Sequence, residues 1–290
     1  LLYVGPPGSG KSMLAQRLPG ILPPLSFQEA LDCTRIYSVA GLLDRVRLLS
    51  ARPFRAPHHT ISIPGLVGGG IGPRPGEISL CHHGVLFLDE LLEFPRNTLE
   101  ALRQPMEDRR ITITRAQGTI TFPCSFQVGG AMNPCPCGYW GSQIRNCICS
   151  PASVARYRAR LSGPLQDRFD LQVEVPALRY ADLKNCPAGE PSSDVRQRVL
   201  AARAKQAVRG CLNGTMSGVL IRRYCRLEVA AESILERTVE KWGLSARAID
   251  KVLRVARTIA DLEGAPNIQK GHIAEALQYR FLDRESRTAA

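Results

Sequence analysis

No stretch of this sequence is apolar for long enough to cross a bilayer as a helix. The N-terminus carries neither a basic segment nor the apolar core of a secretory leader. Both absences argue against a helical membrane span, and a cytoplasmic setting is expected. Acidic side chains are also in short supply: 26 Asp and Glu face 38 Lys and Arg, a formal charge of +12. That deficit favours a polyanionic partner, nucleic acid being the commonest, without telling DNA from RNA or from a plain basic surface. A starting methionine is missing as well, and only "LLYV" precedes a glycine-rich loop, so a piece of something longer is expected. Cysteine, in contrast, is plentiful. Ten cysteines would suit disulfides in a small secreted domain, but a chain of 290 residues without a leader points to reduced thiols. Six of them, Cys33, Cys81, Cys124, Cys186, Cys211 and Cys225, read as ordinary small buried side chains.

The length allows a large and a small domain, each with its own core. "LLYVGPPGSGKS" is a short apolar strand followed by G-x-x-x-x-G-K-S, the phosphate-binding loop in the setting it requires. Gly5, Gly8 and Gly10, with Pro6, Pro7 and Ser9 between them, let the backbone curl so that its N–H groups face phosphate oxygens. Lys11 would reach the β and γ phosphates of ATP, and Ser12 would offer its hydroxyl to Mg2+. "GVLFLDELLEF" supplies the complement. Val85–Leu88 reads as a buried central strand, with Asp89 and Glu90 at the carboxyl end where ligands bind in open α/β sheets. Asp89 would hold Mg2+ through water, and Glu90 would orient and deprotonate the attacking water.

A further strand, "SFQVGGAMN", ends at Asn133, whose amide can bond the lytic water or the γ-phosphate from beside Glu90. In "GPLQDRFDLQVEV", Arg168 precedes another apolar strand and could supply a cation to a neighbouring subunit's phosphate; taken alone it is a surface arginine. Strand candidates at Leu1–Val4, Arg35–Val39, Val85–Leu88, Phe126–Ala131 and Leu171–Val175 alternate with helical stretches. The expected class is α/β, a parallel sheet with helices on both faces. A polar, turn-rich linker, "CPAGEPSSD", divides an ATPase core at 1–186 from a helical domain at 187–290. In the latter, Ile249, Val252, Leu253, Ala256, Ile259 and Ala260 recur at helical spacing, leaving Arg247, Lys251, Arg254 and Arg257 mostly off the stripe.

The P-loop, "FLDE", "AMNPCPCG", "LQDRFDLQVEVP" and "SARAIDKVLRVARTIADL", in this order, resemble the magnesium-chelatase-like AAA+ ATPases of the ComM/YifB type, over nearly the whole chain. The stretch "PFRAPHHTISIPGLVGGGIGPRPGEISLCHHG" is similar to that family's insert before the second acidic motif. The resemblance implies a P-loop AAA+ core with a small all-α lid, assembly into hexameric homo-oligomeric rings, and, for ComM-type members, a DNA helicase that drives branch migration during integration of transforming DNA. It implies Walker A roles for Lys11 and Ser12, Walker B roles for Asp89 and Glu90, sensor 1 for Asn133, the arginine finger for Arg168 and sensor 2 for Arg247. Family members also carry a Lon-protease-like domain ahead of the P-loop, which this sequence does not include.

Two insertions could touch DNA. "RRITITRAQGTITF", Arg109 to Phe122, alternates apolar and polar residues on both sides of a turn and reads as a β-hairpin with Arg115 at its tip, set to contact phosphate in a central pore. The loop containing Arg52, Arg55, His58 and His59 reads as a polar pore lining; adjacent histidines in an extended segment point opposite ways, which disfavours a metal site there. Without stacking aromatics, base reading is not supported. Arg156, Arg158 and Arg160 form a second candidate phosphate surface. Finally, Cys135, Cys137, Cys147 and Cys149 make two Cys-x-Cys pairs with nine residues between them. Four thiolates can bind one Zn2+ tetrahedrally, although one residue between paired ligands is tighter than usual. A DNA motor, a chelatase-like motor that remodels a protein partner, and a truncated inactive relative all remain open at this level.

Overall fold

The computed structural model describes residues 1–43, 48–70, 74–115, 118–177, 184 and 189–288; for Arg115 and residues 285–288 only the backbone is described. Cys186 and the start of the linker lie outside these residues, as do Ala116 and Gln117 of the hairpin turn. The chain divides into two compact units, one of Leu1–Phe169 with Val173–Gly189, the other of Asp170–Gln172 with Glu190–Ala290.

The first unit is organised by a five-stranded sheet. Its strands are β1 (Leu2–Val4), β2 (Phe54–Arg55), β5 (Val85–Leu88), β8 (Gln127–Met132) and β9 (Gln172–Glu174), in spatial order β2-β5-β8-β1-β9. The pairings of β2 with β5, β5 with β8 and β8 with β1 are all parallel. Parallel strands buried on both faces need continuous apolar runs, and "VLFL" of β5 is fully buried. The "GG" of β8 answers the bulk of its neighbours. A Cβ at Gly129 would lie 3.2 Å from Phe87 and 4.0 Å from Leu18 on one face, while one at Gly130 would lie 3.2 Å from Leu91 and 3.4 Å from Phe169 on the other. Successive residues of a strand point to opposite faces, so the helix Lys11–Ile21 covers one side of the sheet here, and the turn Leu91–Glu93 with Phe169 covers the other.

One expected strand is a helix. Arg35–Val39 forms the last turns of Phe27–Val39, started by a capping box in which Ser26 and Glu29 exchange side-chain and backbone bonds. Ala30, Cys33 and Ile36 recur every third residue and are buried, so helical packing overrides the β-branched and aromatic character of "RIYSV". The strand next to β5 is Phe54–Arg55 instead.

The hairpin is present. Strands β6 (Arg110–Arg115) and β7 (Gly118–Pro123) pair antiparallel from Arg110 opposite Pro123 to Arg115 opposite Gly118. Ile111, Ile113 and Phe122 are buried, and the Ile113 side chain lies against Gly68 of a small ribbon, β3 (Gly68–Gly69) with β4 (Arg74–Pro75).

The second unit is helical: Ser192–Val208, Gly218–Tyr224, Val229–Trp242, Ala246–Glu263, Lys270–Gln278 and Phe281–Thr288. Val252, Ala256, Ile259 and Ala260 face a core shared with Leu235, Ile273 and Leu277, as the spacing predicts. Arg257, placed off the apolar stripe by the spacing, is buried all the same. It is 2% exposed, pairs with Asp261 one turn on, and donates to the carbonyls of Ala265 and Pro266. Asp261 also accepts from Arg209 and from Asn213, which provides the pairing a buried charge requires.

Candidate active site

Three adjacent strands of a parallel sheet deliver their following residues to one edge. β1 runs into Gly5, β8 into Asn133 and β5 into Asp89, and the registers Val4 with Met132 and Leu88 with Gly130 align these ends. The Gly5 N–H donates to the Met132 carbonyl at 3.2 Å, tying the loop to the strand that carries Asn133.

The loop Gly5–Ser12 depends on its glycines. Gly8 and Gly10 have φ of +74° and +89°, a region glycine enters at no steric cost. At Gly5 the constraint is close approach, since a Cβ would lie 2.1 Å from the Val175 carbonyl oxygen. Gly5→Ala is therefore expected to cost about 1–3 kcal/mol in chemical denaturation. An unchanged midpoint would show that the strand edge yields without penalty.

Lys11 is buried at the start of its helix, and its Nζ donates to the carbonyls of Gly5 and Pro6, both at 2.7 Å, and to Asn133 Oδ1 at 3.4 Å. Burial pushes this ammonium below its usual range, partly opposed by the charge of Asp89. The cation thus bonds only neutral oxygens, and Ser9 Oγ nearby in the loop is buried with no partner among the described residues. A lysine depressed by desolvation, an orphaned hydroxyl and a loop open above Gly8 fit an incoming polyanion. Beside it, Ser12 Oγ donates to Asp89 Oδ2 at 2.5 Å, a hydroxyl and a carboxylate of the kind a hard divalent cation takes.

Glu90 adopts φ of +50°, uncommon for a residue other than glycine. Its N–H donates to Asp89 Oδ1 at 3.0 Å, and its carboxylate meets His59 Nδ1 at 3.3 Å. His59 reaches this place because residues 58–60 turn rather than extend. The His58 and His59 rings lie 4.0 Å apart instead of pointing opposite ways, and His59 also meets the edge of Phe94. His58 bonds Thr60 Oγ1.

The other basic candidates are more dispersed. Arg55 gives both prongs of its guanidinium to Glu77 at 2.6 Å, and Arg52 is bonded to carbonyls of Pro23, Pro24 and His83 and to Glu29. Arg55 therefore braces the insert from within and Arg52 ties its end at His83 to Pro23, Pro24 and Glu29, so neither offers a free fork. Arg115 ends β6, and its side chain lies outside the described residues. Arg158 donates to the Pro134 carbonyl, next to Asn133, while Arg160 bonds Leu92 O and Glu93 and Arg156 is exposed. Arg168 is held by Glu107 and the Pro164 carbonyl of its own unit. Arg247 is exposed in the first turn of Ala246–Glu263, in the other unit.

The sulfur atoms of Cys135, Cys137, Cys147 and Cys149 all lie within 4.8 Å of one another. Backbone N–H groups of Ile148 and Tyr139 draw the Cys137 thiol down to about 6. Desolvation, then the neighbouring sulfurs, push Cys147 up to about 12. A second cluster, Asp32 with His82 and His83, was not legible in the sequence. Its rings already serve the fold: His82 Nδ1 accepts from the Ser125 N–H, and burial pushes it down to about 4.

The fold and the loop together define a P-loop ATPase of the AAA+ class. The family described as magnesium chelatase, subunit ChlI, matches residues 1–183, and its C-terminal counterpart matches residues 189–280. The chain belongs to this family. It is similar to competence protein ComM of Haemophilus influenzae and to YifB of Escherichia coli K12, each 48% identical over 287 residues, covering 98% of this chain and 56% of the relative. A more distant match is the Holliday junction branch migration complex subunit RuvB of Prochlorococcus marinus, 26% identical over 231 residues, 77% of this chain and 48% of that protein. The chain thus spans a little over half the length of ComM and YifB. No helix among the described residues is long and apolar enough to cross a membrane.

Proposed function

We propose that this chain is the motor portion of a ring-forming, ATP-driven DNA translocase of the ComM branch-migration type, cytoplasmic and hexameric. The observation that carries the ATPase part is the meeting of Lys11, Ser12, Asp89 and Asn133 at one sheet edge. In this reading Gly5–Ser12 bind the phosphates of ATP, and Lys11 exchanges its carbonyl partners for the β and γ oxygens. Ser12 and Asp89 would hold Mg2+, which neutralises charge on the phosphates when bound. Glu90 takes the proton of the attacking water, Asn133 orients that water, and Arg168 and Arg247 place positive charge on the γ-phosphate from a neighbouring subunit and from a helical lid at 187–290. The four cysteines hold a structural Zn2+.

Three things support DNA as the substrate: the charge of +12, the hairpin directly before the strand of Asn133, and the likeness to ComM, a competence protein, and to RuvB, a branch-migration complex subunit. The His59 contact to Glu90 gives the insert a physical link to the catalytic base. DNA on the insert would shift His59 and so change the setting of Glu90. On this path Arg115, His58 and His59 would contact the DNA, and Arg55 would contribute by holding the insert's shape through Glu77.

Family membership itself favours a second reading, a chelatase-like ATPase that remodels a protein partner. Steady-state ATPase activity separates the two. A DNA motor is expected to be stimulated by forked or single-stranded DNA, with the stimulation fading as salt rises because phosphate contacts release counterions. Activity indifferent to DNA at every salt concentration would move the assignment to the protein-remodelling motor.

A further inference from the structure

The excursion after β8 carries Cys135, Cys137, Cys147 and Cys149, and the structure resolves the difficulty their spacing raises. The sulfur separations are 3.4 Å for Cys135 with Cys137, 3.6 Å for Cys135 with Cys147 and 3.5 Å for Cys137 with Cys147. A disulfide would need about 2.05 Å. Four sulfurs about 2.3 Å from one tetrahedral zinc stand about 3.8 Å apart, close to what is seen. A single residue between ligands suffices because the chain turns sharply: the Gly138 N–H donates to the Cys135 carbonyl at 3.0 Å, and Gly138 has φ of +85°. Backbone donors also point at the sulfurs, from Trp140 to Cys135 at 3.3 Å and from Cys149 to Cys147 at 3.4 Å, which is how a thiolate site is oriented.

The same turn touches the nucleotide loop. A Cβ at Gly138 would lie 2.6 Å from Pro7 Cδ, so backbone and proline ring are in direct contact there. Asn133, two residues before Cys135, bonds Lys11 at 3.4 Å. The thiolate cluster therefore closes a short span of chain against both the loop and its lysine.

We infer that zinc at the four cysteines fixes the conformation of the nucleotide loop, so that affinity for ATP depends on the metal; this rests on the ATP and zinc readings given above. Without the ion, the excursion loses its crosslink and Pro7 loses a rigid neighbour. Ordering both on binding then costs affinity.

The test uses the purified chain. Elemental analysis is expected to find one zinc per chain, lost in the double variant Cys137→Ser with Cys149→Ser and kept in Cys211→Ser. A fluorescent, non-hydrolysable ATP analogue is expected to bind the zinc-loaded protein. Removing zinc with a chelator should weaken that binding about tenfold, and added zinc should restore it. In the double variant the analogue should bind about tenfold more weakly, and added zinc should not restore it. No zinc, or iron in its place, would overturn the metal assignment. Zinc present with analogue binding unchanged on its removal would overturn the coupling alone. Failure of the zinc-loaded chain to bind the analogue would overturn the ATP reading, and the coupling with it.

Discussion

Glu90→Gln is expected to leave nucleotide binding in place and to lower steady-state ATP turnover by about 10²–10⁴-fold, the range a lost general base commands. The substitution keeps the shape of the side chain and removes only its basicity. Asp89 stays to bond Ser12, so the loop and cation site should be undisturbed. Two observations single Glu90 out. Its left-handed backbone, φ +50°, persists only where the surroundings enforce it, and such residues cluster at functional sites. Among the described residues its carboxylate pairs with His59, which a bound water or ligand could displace. Turnover and binding of an ATP analogue should be measured together. Hydrolysis at the wild-type rate would remove Glu90 from the role, and loss of binding along with turnover would make it a structural residue.

The second large effect concerns Arg168. Arg168→Ala is expected to reduce turnover by about 10³–10⁵-fold, the contribution of an arginine finger. Lys11→Ala should abolish turnover in its own site by removing the phosphate cation. Mixing the two variants should restore part of the activity, because a Lys11→Ala subunit still carries Arg168 to offer the intact loop of its neighbour. Within its own unit the Arg168 guanidinium is held by Glu107 and by the Pro164 carbonyl at 2.7 Å, while its Nε is buried without a partner among the described residues. In the proposed arrangement Arg168 exchanges Glu107 for phosphate when subunits meet, and the ATPase activity of mixtures at several ratios reads that exchange. No recovery at any ratio would count against action across an interface.

The parts of the site legible in the sequence are those whose chemistry is local. The Gly5–Ser12 loop, the apolar run before Asp89 and the hairpin each depend on residues a few positions apart, and their spacing alone specifies them. The strand wrongly placed at Arg35–Val39 shows where local reading fails. "RIYSV" has strand character, but a capping box nine residues before Arg35 commits the segment to a helix. The strand that does flank β5 is two residues long, too short for any periodicity to reveal. The burial of Arg257 was not legible for a related reason, since its partner Asp261 lies on the same helix while the core that buries the pair comes from elsewhere.

By itself, then, the amino-acid sequence determined the class of sheet, the phosphate loop, the acidic pair at a strand end and the four cysteines, because strand burial, glycine geometry and ligand count are written in neighbouring residues. Only the tertiary structure decided that His59 meets Glu90, that Arg55 is consumed by Glu77, that Glu107 restrains Arg168 and that Gly138 rests on Pro7. Each of these joins segments between 22 and 131 positions apart in the chain. Such contacts follow from how strands are ordered in the sheet and how the loops at its carboxyl edge pack together, and no periodicity of the sequence encodes that order.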